Sequence, residues 1–242
     1  MEALVVGATG ATGRLLVDQL LQRNVRVRVI VRSSERLPEP LRTHARVSIT
    51  EAGVLDLSDA ELADHVKGCD GVASCLGHNL SLKGIYGRPR RLVTQATSRL
   101  SAAIASTAPA KPVRYVLMNT TGNRNLDLEE RRTALEHLVI GLLRTLLPPQ
   151  PDNEQAAEHL RVVVGQHHPS IEWAAVRPDG LTNEDAVTDY ELHRSPVRSP
   201  IFNAGKTSRI NVAHFMARLM TEDDVWSAWK GQMPVIYNKP HG

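Results

Sequence analysis

The stretch that most constrains the fold is the first 36 residues. Ala3-Leu4-Val5-Val6 is an apolar run long enough for a buried strand, and it passes straight into Gly7-Ala8-Thr9-Gly10-Ala11-Thr12-Gly13. Leu15, Leu16 and Leu20 then recur at helical spacing, and beyond Arg23-Asn24 the β-branched run from Val25 to Val31 reads as a second strand. Strand, glycine turn, helix and strand in this order form a βαβ unit. In such a unit Gly7 permits a tight exit from the strand, Gly10 leaves room for backbone N–H groups to approach a pyrophosphate, and Gly13 lets the helix pack close to the sheet. The positive end of the helix then faces the negative charge of the ligand. The expectation is a dinucleotide site built from Gly7, Thr9, Gly10, Ala11, Thr12 and Gly13.

The end of the second strand decides which dinucleotide. An acidic residue there accepts the ribose 2′-OH of NAD, whereas arginine accommodates the 2′-phosphate of NADP. This chain has Arg32, then Ser33, Ser34 and Arg36, with no carboxylate at the strand end. NADP (NADPH) is therefore expected, with Arg32, Ser33 and Arg36 on the 2′-phosphate; the plainer alternative is that the two arginines are solvated loop charges.

Composition narrows the remaining classes. At 242 residues and 42% hydrophobic content, the chain is large enough for one sizeable core, and a single α/β domain spanning 1–242 is expected. The net charge of +3 does not imply nucleic acid, because the arginines are scattered and only 4% of residues are aromatic. Cys69 and Cys75 lack metal or redox spacing, and the histidines lack ligand spacing, so no metal is expected and reduced thiols point to the cytoplasm. No charged leader or membrane-length apolar stretch is present, and no membrane association is expected.

Arg46–Thr50 reads as a third strand, and Ser58-Asp59-Ala60-Glu61 as the capping box of a short helix. Gly71–Gly77 is a fourth strand whose carboxyl end brings Leu76, Gly77, His78 and Asn79 beside the cofactor. Tyr86–Ala108 carries the apolar face of a long helix. Pro112–Asn119 is a strand buried on both faces, ending in Thr120-Thr121-Gly122, which either meets cofactor and substrate or forms a plain turn. Around 123–151 the βα rhythm is broken by an inserted helix, Leu135–Leu147, that walls a substrate pocket or serves a dimer interface, leaving monomer and homodimer open.

Asp152, with Gln155 three residues on, fits the N-cap of a helix running to Gly165. Asp152, Asn153 or His159 facing the site, together with Thr120, are the candidate catalytic groups. Ile171–Arg177 is a strand that stops at Pro178, Val54 or Asp56 stands where adenine is expected, and 182–207 is a second irregular insertion. A helix through Met220 and a strand over Met233–Tyr237 close the chain. The fold class is α/β: a single Rossmann-type, doubly wound, mostly parallel sheet with helices on both faces.

The glycine turn, Arg32-Ser-Ser-Glu-Arg36-Leu-Pro, Ser74-Cys75-Leu76-Gly77, Val176-Arg177-Pro178 and Thr207-Ser208-Arg209 together resemble the atypical short-chain dehydrogenase/reductase superfamily. Within it the chain is similar to the NAD(P)H-binding group that includes biliverdin-IXβ reductase, also known as flavin reductase. The resemblance implies NADPH, and hydride transfer to a planar, electron-poor acceptor of the flavin, quinone or tetrapyrrole class. It also implies that Leu76, Gly77, Thr120 and Pro178 frame the ribose and nicotinamide. One departure is plain: none of the four tyrosines has lysine four residues later, so the usual Tyr-x-x-x-Lys acid is missing. A non-catalytic NADP-binding sensor that reports redox state to a partner is the competing class.

Overall fold

The computed structural model describes residues 1–78, 87, 89–130 and 133–239. Expectations that fall on Asn79, Tyr86 and Arg132 lie outside the described residues. The chain begins β1 (Glu2–Val6), α1 (Ala11–Gln22), β2 (Arg26–Val31), α2 (Glu39–Arg42), β3 (Val47–Glu51), α3 (Asp59–Val66) and β4 (Gly71–Ser74). It continues through α4 (Leu92–Ser106), β5 (Val113–Met118), α5 (Ala134–Leu146), α6 (Pro149–Glu158), β6 (Ile171–Pro178), β7 (Gly180–Thr182) and β8 (Tyr190–His193). The last elements are β9 (Lys206–Ser208), α7 (Arg209–Thr221), α8 (Asp223–Trp229) and β10 (Val235–Asn238).

Eight strands form one sheet in the order β3-β2-β1-β4-β5-β6-β10-β8, and β7 with β9 form a small separate ladder. All pairings in the large sheet are parallel except that of β8 with β10. This is the Rossmann-type α/β architecture, with helices on both faces. The strand period explains the uninterrupted apolar run of β1. Ala3 and Val5 enter the core under α1 and α7 with Leu16, Leu20, Phe215 and Leu219, while Leu4 and Val6 enter the opposite core with Leu62, Leu100, Ile104 and Trp173.

Several local expectations shift. The helix anticipated from Tyr86 is described only from Leu92, and its N-terminus is held by a side chain from another helix. The N-cap assigned to Asp152 is corrected: α6 starts at Pro149, with Pro148 at the cap, so Asp152 already lies inside the first turn. Proline at the first helical position loses no hydrogen bond and has the right φ, so Pro148-Pro149 suits the start of α6. The capping box at Ser58 and Glu61 is formed, and a second one joins Thr133 to Glu136 at the start of α5.

Candidate functional site

Strand order reverses between β1 and β4, which opens a crevice at the carboxyl edge of the sheet. A cavity of about 280 Å³ lies there. Gly7, Thr9 and Gly10 line it after β1, Arg32 and Arg36 after β2, Ala52 to Asp56 after β3, and Cys75, Leu76 and Gly77 after β4. Gly7 has φ +80°, and a Cβ on it would stand 2.6 Å from the carbonyl carbon of Cys75. A Cβ on Gly13 would overlap the carbonyl oxygen of Gly7, so that glycine is what seats α1 against the strand exit. Gly10 caps α1 without a side-chain hydrogen bond, and the first turn holds no acidic residue. Its N–H groups, flanked by exposed Ala11 and buried Thr12, are thus available to an external anion.

Arg32 and Arg36 are both exposed at the cavity rim, and neither forms an ion pair among the described residues. Ser33 is half-buried between them, in extended conformation ahead of a 3₁₀ turn. The nearest carboxylate on the neighbouring strand, Glu51, accepts from Ser34 Oγ at 2.9 Å and is so occupied. Val54, almost fully buried, forms an apolar wall of the cavity, with Leu55 and Asp56 beside it.

Comparison with known proteins settles the family. The model of an NAD(P)H-binding family matches residues 7–223. The chain belongs to that NAD(P)H-binding family. No curated protein matches it. Among solved structures it is similar to a short-chain dehydrogenase/reductase from Veillonella parvula in complex with NADP, at 18% identity and a TM-score of 0.70, over 98% of this chain and 94% of that one. The oxidoreductase ylbE of Lactococcus lactis superposes at 17% identity and 0.69, over 100% and 93%. A Streptococcus pneumoniae protein whose description proposes an NADH-flavin reductase does so at 16% and 0.65, over 99% and 100%. These likenesses are to the fold.

The ends of β5 and β6 continue the same carboxyl edge beside the cavity. Here the polar groups are bound to one another. Thr120 Oγ accepts from the Gly122 N–H at 3.2 Å and its own N–H donates to Asn119 Oδ1, the geometry of a tight turn. Thr121 is buried and donates its N–H to the Pro178 carbonyl, which ties β5 to the end of β6. The Asn153 carbonyl accepts from Asn119 Nδ2 at 3.0 Å and Asn123 Nδ2 at 3.3 Å, so Asn153 acts here through its backbone.

Asp152 is held on all sides. It is 1% exposed, accepts from the N–H groups of Val93 and Thr94 at 2.9 Å each and from Thr94 Oγ at 2.7 Å, and meets His78 Nε2 at 2.8 Å. It caps α4, not its own helix. Burial pulls its carboxyl up, but the bonds from His78, Thr94 and Val93 outweigh burial and hold it below the ordinary carboxylate value. A carboxyl kept ionised is a poor proton donor, so its work is to fix His78 just past the cavity-lining Gly77. His159 lies seven residues further along, roughly 10 Å down the helix axis and away from this edge. Its Nε2 is buried without a partner, and burial depresses the imidazole.

Arg177, which the sequence presents only as part of the Val176-Arg177-Pro178 strand end, organises the edge past β5 and β6. It is fully buried, pairs with Glu130 at 2.7 and 3.0 Å, and donates to the carbonyls of Met233, Asn123 and Arg194. The available signal was an arginine at the end of the otherwise apolar Trp173-Ala-Ala-Val strand, a residue type that is buried only when paired. Beyond it Asp179 accepts from the Gly205 N–H at 2.8 Å, and burial raises its carboxyl against the pull of the Gly205, Thr121 and Gly180 bonds.

No activated phenol stands among the described tyrosines: burial pushes Tyr115 up to about 12 and raises Tyr190 and Tyr237 as well. Burial also pushes the Cys75 thiol up to about 12, which removes it as a nucleophile although it lines the cavity. Among the described residues no three His, Cys, Asp or Glu side chains gather as metal ligands, and no helix is long and apolar enough to cross a membrane.

Proposed function

We propose that the protein is an NADPH-dependent reductase that passes hydride to a small planar acceptor of the flavin, quinone or tetrapyrrole class. The observation that carries the reading is the pair of arginines, Arg32 and Arg36, exposed and without ion pairs among the described residues, on the rim of a cavity that begins at a helix N-terminus with no side-chain cap. When bound, the nicotinamide supplies the hydride. The α1 N–H groups and Gly10 hold the pyrophosphate, Arg32, Ser33 and Arg36 receive the 2′-phosphate, and Val54 packs on the adenine. Leu76, Gly77, His78, Thr120, Thr121 and Pro178 frame the ribose and nicotinamide. Since Asp152 is held ionised and none of the described tyrosines is activated, the chain contributes mainly position, which suits acceptors that need little help from an acid.

Two measurements test this. Titration should show NADPH binding far tighter than NADH, with Arg32→Ala weakening NADPH and leaving NADH nearly unchanged; equal losses on both would remove the NADP assignment. Turnover against flavins, quinones and a linear tetrapyrrole should show NADPH oxidation with at least one acceptor. Tight NADP binding with no turnover on any of them would favour the alternative, an NADP-binding redox sensor acting through a partner.

A further inference from the structure

We propose that Arg99, on α4, is a positioning residue for the adenosine half of the cofactor: it does not meet the ligand but clamps, from behind, the loop that forms one wall of its cavity. The inference rests on the placement of adenine against Val54 proposed above. That loop joins β3 to α3 through residues 52–58, and Ala52 to Asp56 line the cavity. Its start is fixed where the Ala52 N–H donates to the Val31 carbonyl at 2.8 Å, and the Asp56 N–H closes a turn on the Gly53 carbonyl at 2.9 Å. Its remaining carbonyls are gripped by a side chain from another helix.

Arg99 Nη1 donates to the Leu55 carbonyl at 2.9 Å and to that of Val54 at 3.5 Å, and Nη2 donates to the Leu57 carbonyl at 2.5 Å. Nη2 and Nε also meet Asp59 Oδ1, at 2.8 and 3.3 Å. Magnitudes decide which of these contacts matters. The Asp59 side chain is 93% exposed, so water screens the ion pair and it contributes little. The Arg99 side chain is only 26% exposed, and hydrogen bonds from an ionised donor are stronger than neutral ones. The main work of Arg99 is therefore on the loop.

The residue type suits that work. A guanidinium presents five N–H donors in a planar fork and can hold several carbonyls at once, whereas an ammonium is one compact charge. The clamp also has a fixed base. Asp152 accepts from the Val93 and Thr94 N–H groups at the start of α4, and Arg99 lies six residues beyond Val93, about 9 Å along the same helix. Arg99 does not line the cavity, so its removal takes no contact from the ligand. It releases the wall instead, and a wall that must be ordered at the moment of binding subtracts that ordering from the affinity.

The test uses the full chain as wild type, Arg99→Ala and Arg99→Lys. Arg99→Ala should raise the dissociation constants of NADPH and of adenosine 2′,5′-bisphosphate by about tenfold. That of reduced nicotinamide mononucleotide, which lacks the adenosine half, should not change. Arg99→Lys keeps the charge beside Asp59 but not the fork, so it should stay within about threefold of Arg99→Ala; if Arg99→Ala fails to fold, it carries the same comparison. In the ligand-free protein, hydrogen exchange should quicken at the Ala52 and Asp56 amides of either variant and stay unchanged in α1. Variants that bind all three ligands as wild type does overturn the inference, and so does full recovery by lysine. Equal weakening of both halves of the cofactor overturns it too, because Arg99 would then act on stability alone. A wild type that binds none of the three ligands overturns the cofactor reading itself, and this inference with it.

Discussion

The two halves of the carboxyl edge are built on opposite plans. Past β1 and β2, the turn at Gly7 to Gly13 and the arginines at 32 and 36 leave donors and positive charge without partners among the described residues. Past β5 and β6 the described buried charges are internally answered: Arg177 by Glu130, Asp152 by His78 and two N–H groups, Asp179 by Gly205. The first half is a site waiting for an anion. The second is a frame whose described buried carboxyls are all hydrogen-bonded, and a frame of that kind selects by shape and position.

The sharpest way to break the contrast is to unpair the frame. Glu130→Ala leaves the Arg177 guanidinium buried with three carbonyls and no counter-charge. Removing one partner of a buried pair costs about 3–5 kcal/mol, so thermal unfolding should move down by many degrees, whereas the conservative Glu130→Gln should recover part of the loss. A melting point within a degree of wild type would show that the pair is not what holds the acceptor side.

Asp152 comes next. Asp152→Ala should cost about 2–3 kcal/mol, since it strips two N–H groups of α4 and His78 of a charged acceptor. The pH dependence fixes the sign. The folded carboxyl lies below its ordinary value of 3.8, so its contribution is full above about pH 4 and is lost as pH falls through the folded value. Denaturant midpoints of wild type should therefore fall more steeply below pH 4 than those of Asp152→Asn; parallel curves would refute the assignment.

The same contrast explains what could be read in advance. The anion-binding half is contiguous in the chain: strand, glycines, helix and arginine all fall within residues 2–36, and each leaves a local signature of period or residue type. The frame is assembled from distance. Arg177 meets Glu130 across 47 positions and Asp152 meets His78 across 74, and no local pattern links such partners. Asp152 shows the cost of local reasoning, because Asp with Gln three residues on fits a capping box, yet its carboxylate caps the helix at Leu92–Ser106. His159, chosen as the one histidine of that segment, falls instead in a π-helical turn, His159–Val164, beyond the reach of the carboxyl edge.

On the anion-binding side the expected effect is on affinity. If Arg32 meets the 2′-phosphate as proposed, Arg32→Ala should cost about 1.5–3 kcal/mol, or roughly tenfold to a hundredfold in the NADPH dissociation constant. It should leave the melting point of the free protein within about a degree, because Arg32 forms no ion pair among the described residues. A large loss of stability would place Arg32 in the frame and erase the difference between the two halves.

The smallest effect gives the finest comparison, because each half owns one capping box. Ser58 and Glu61 close the start of α3, and Thr133 and Glu136 close the start of α5. Replacing either Ser58 or Thr133 by Ala should cost about 1 kcal/mol by the same loss of a hydrogen bond to a helix N–H. Their reach differs. Glu61 is exposed and bonds only to Ser58, so Ser58→Ala should end at its own helix. Glu136 is buried, and its other oxygen accepts from Ser199 Oγ on the loop across a separate cavity of about 390 Å³. Freeing Glu136 loosens that loop as well. Thr133→Ala should therefore raise the KM for the acceptor while leaving NADPH affinity unchanged, and Ser58→Ala should change neither. If both variants behave alike in turnover, the cavity beside α5 is not where the acceptor sits.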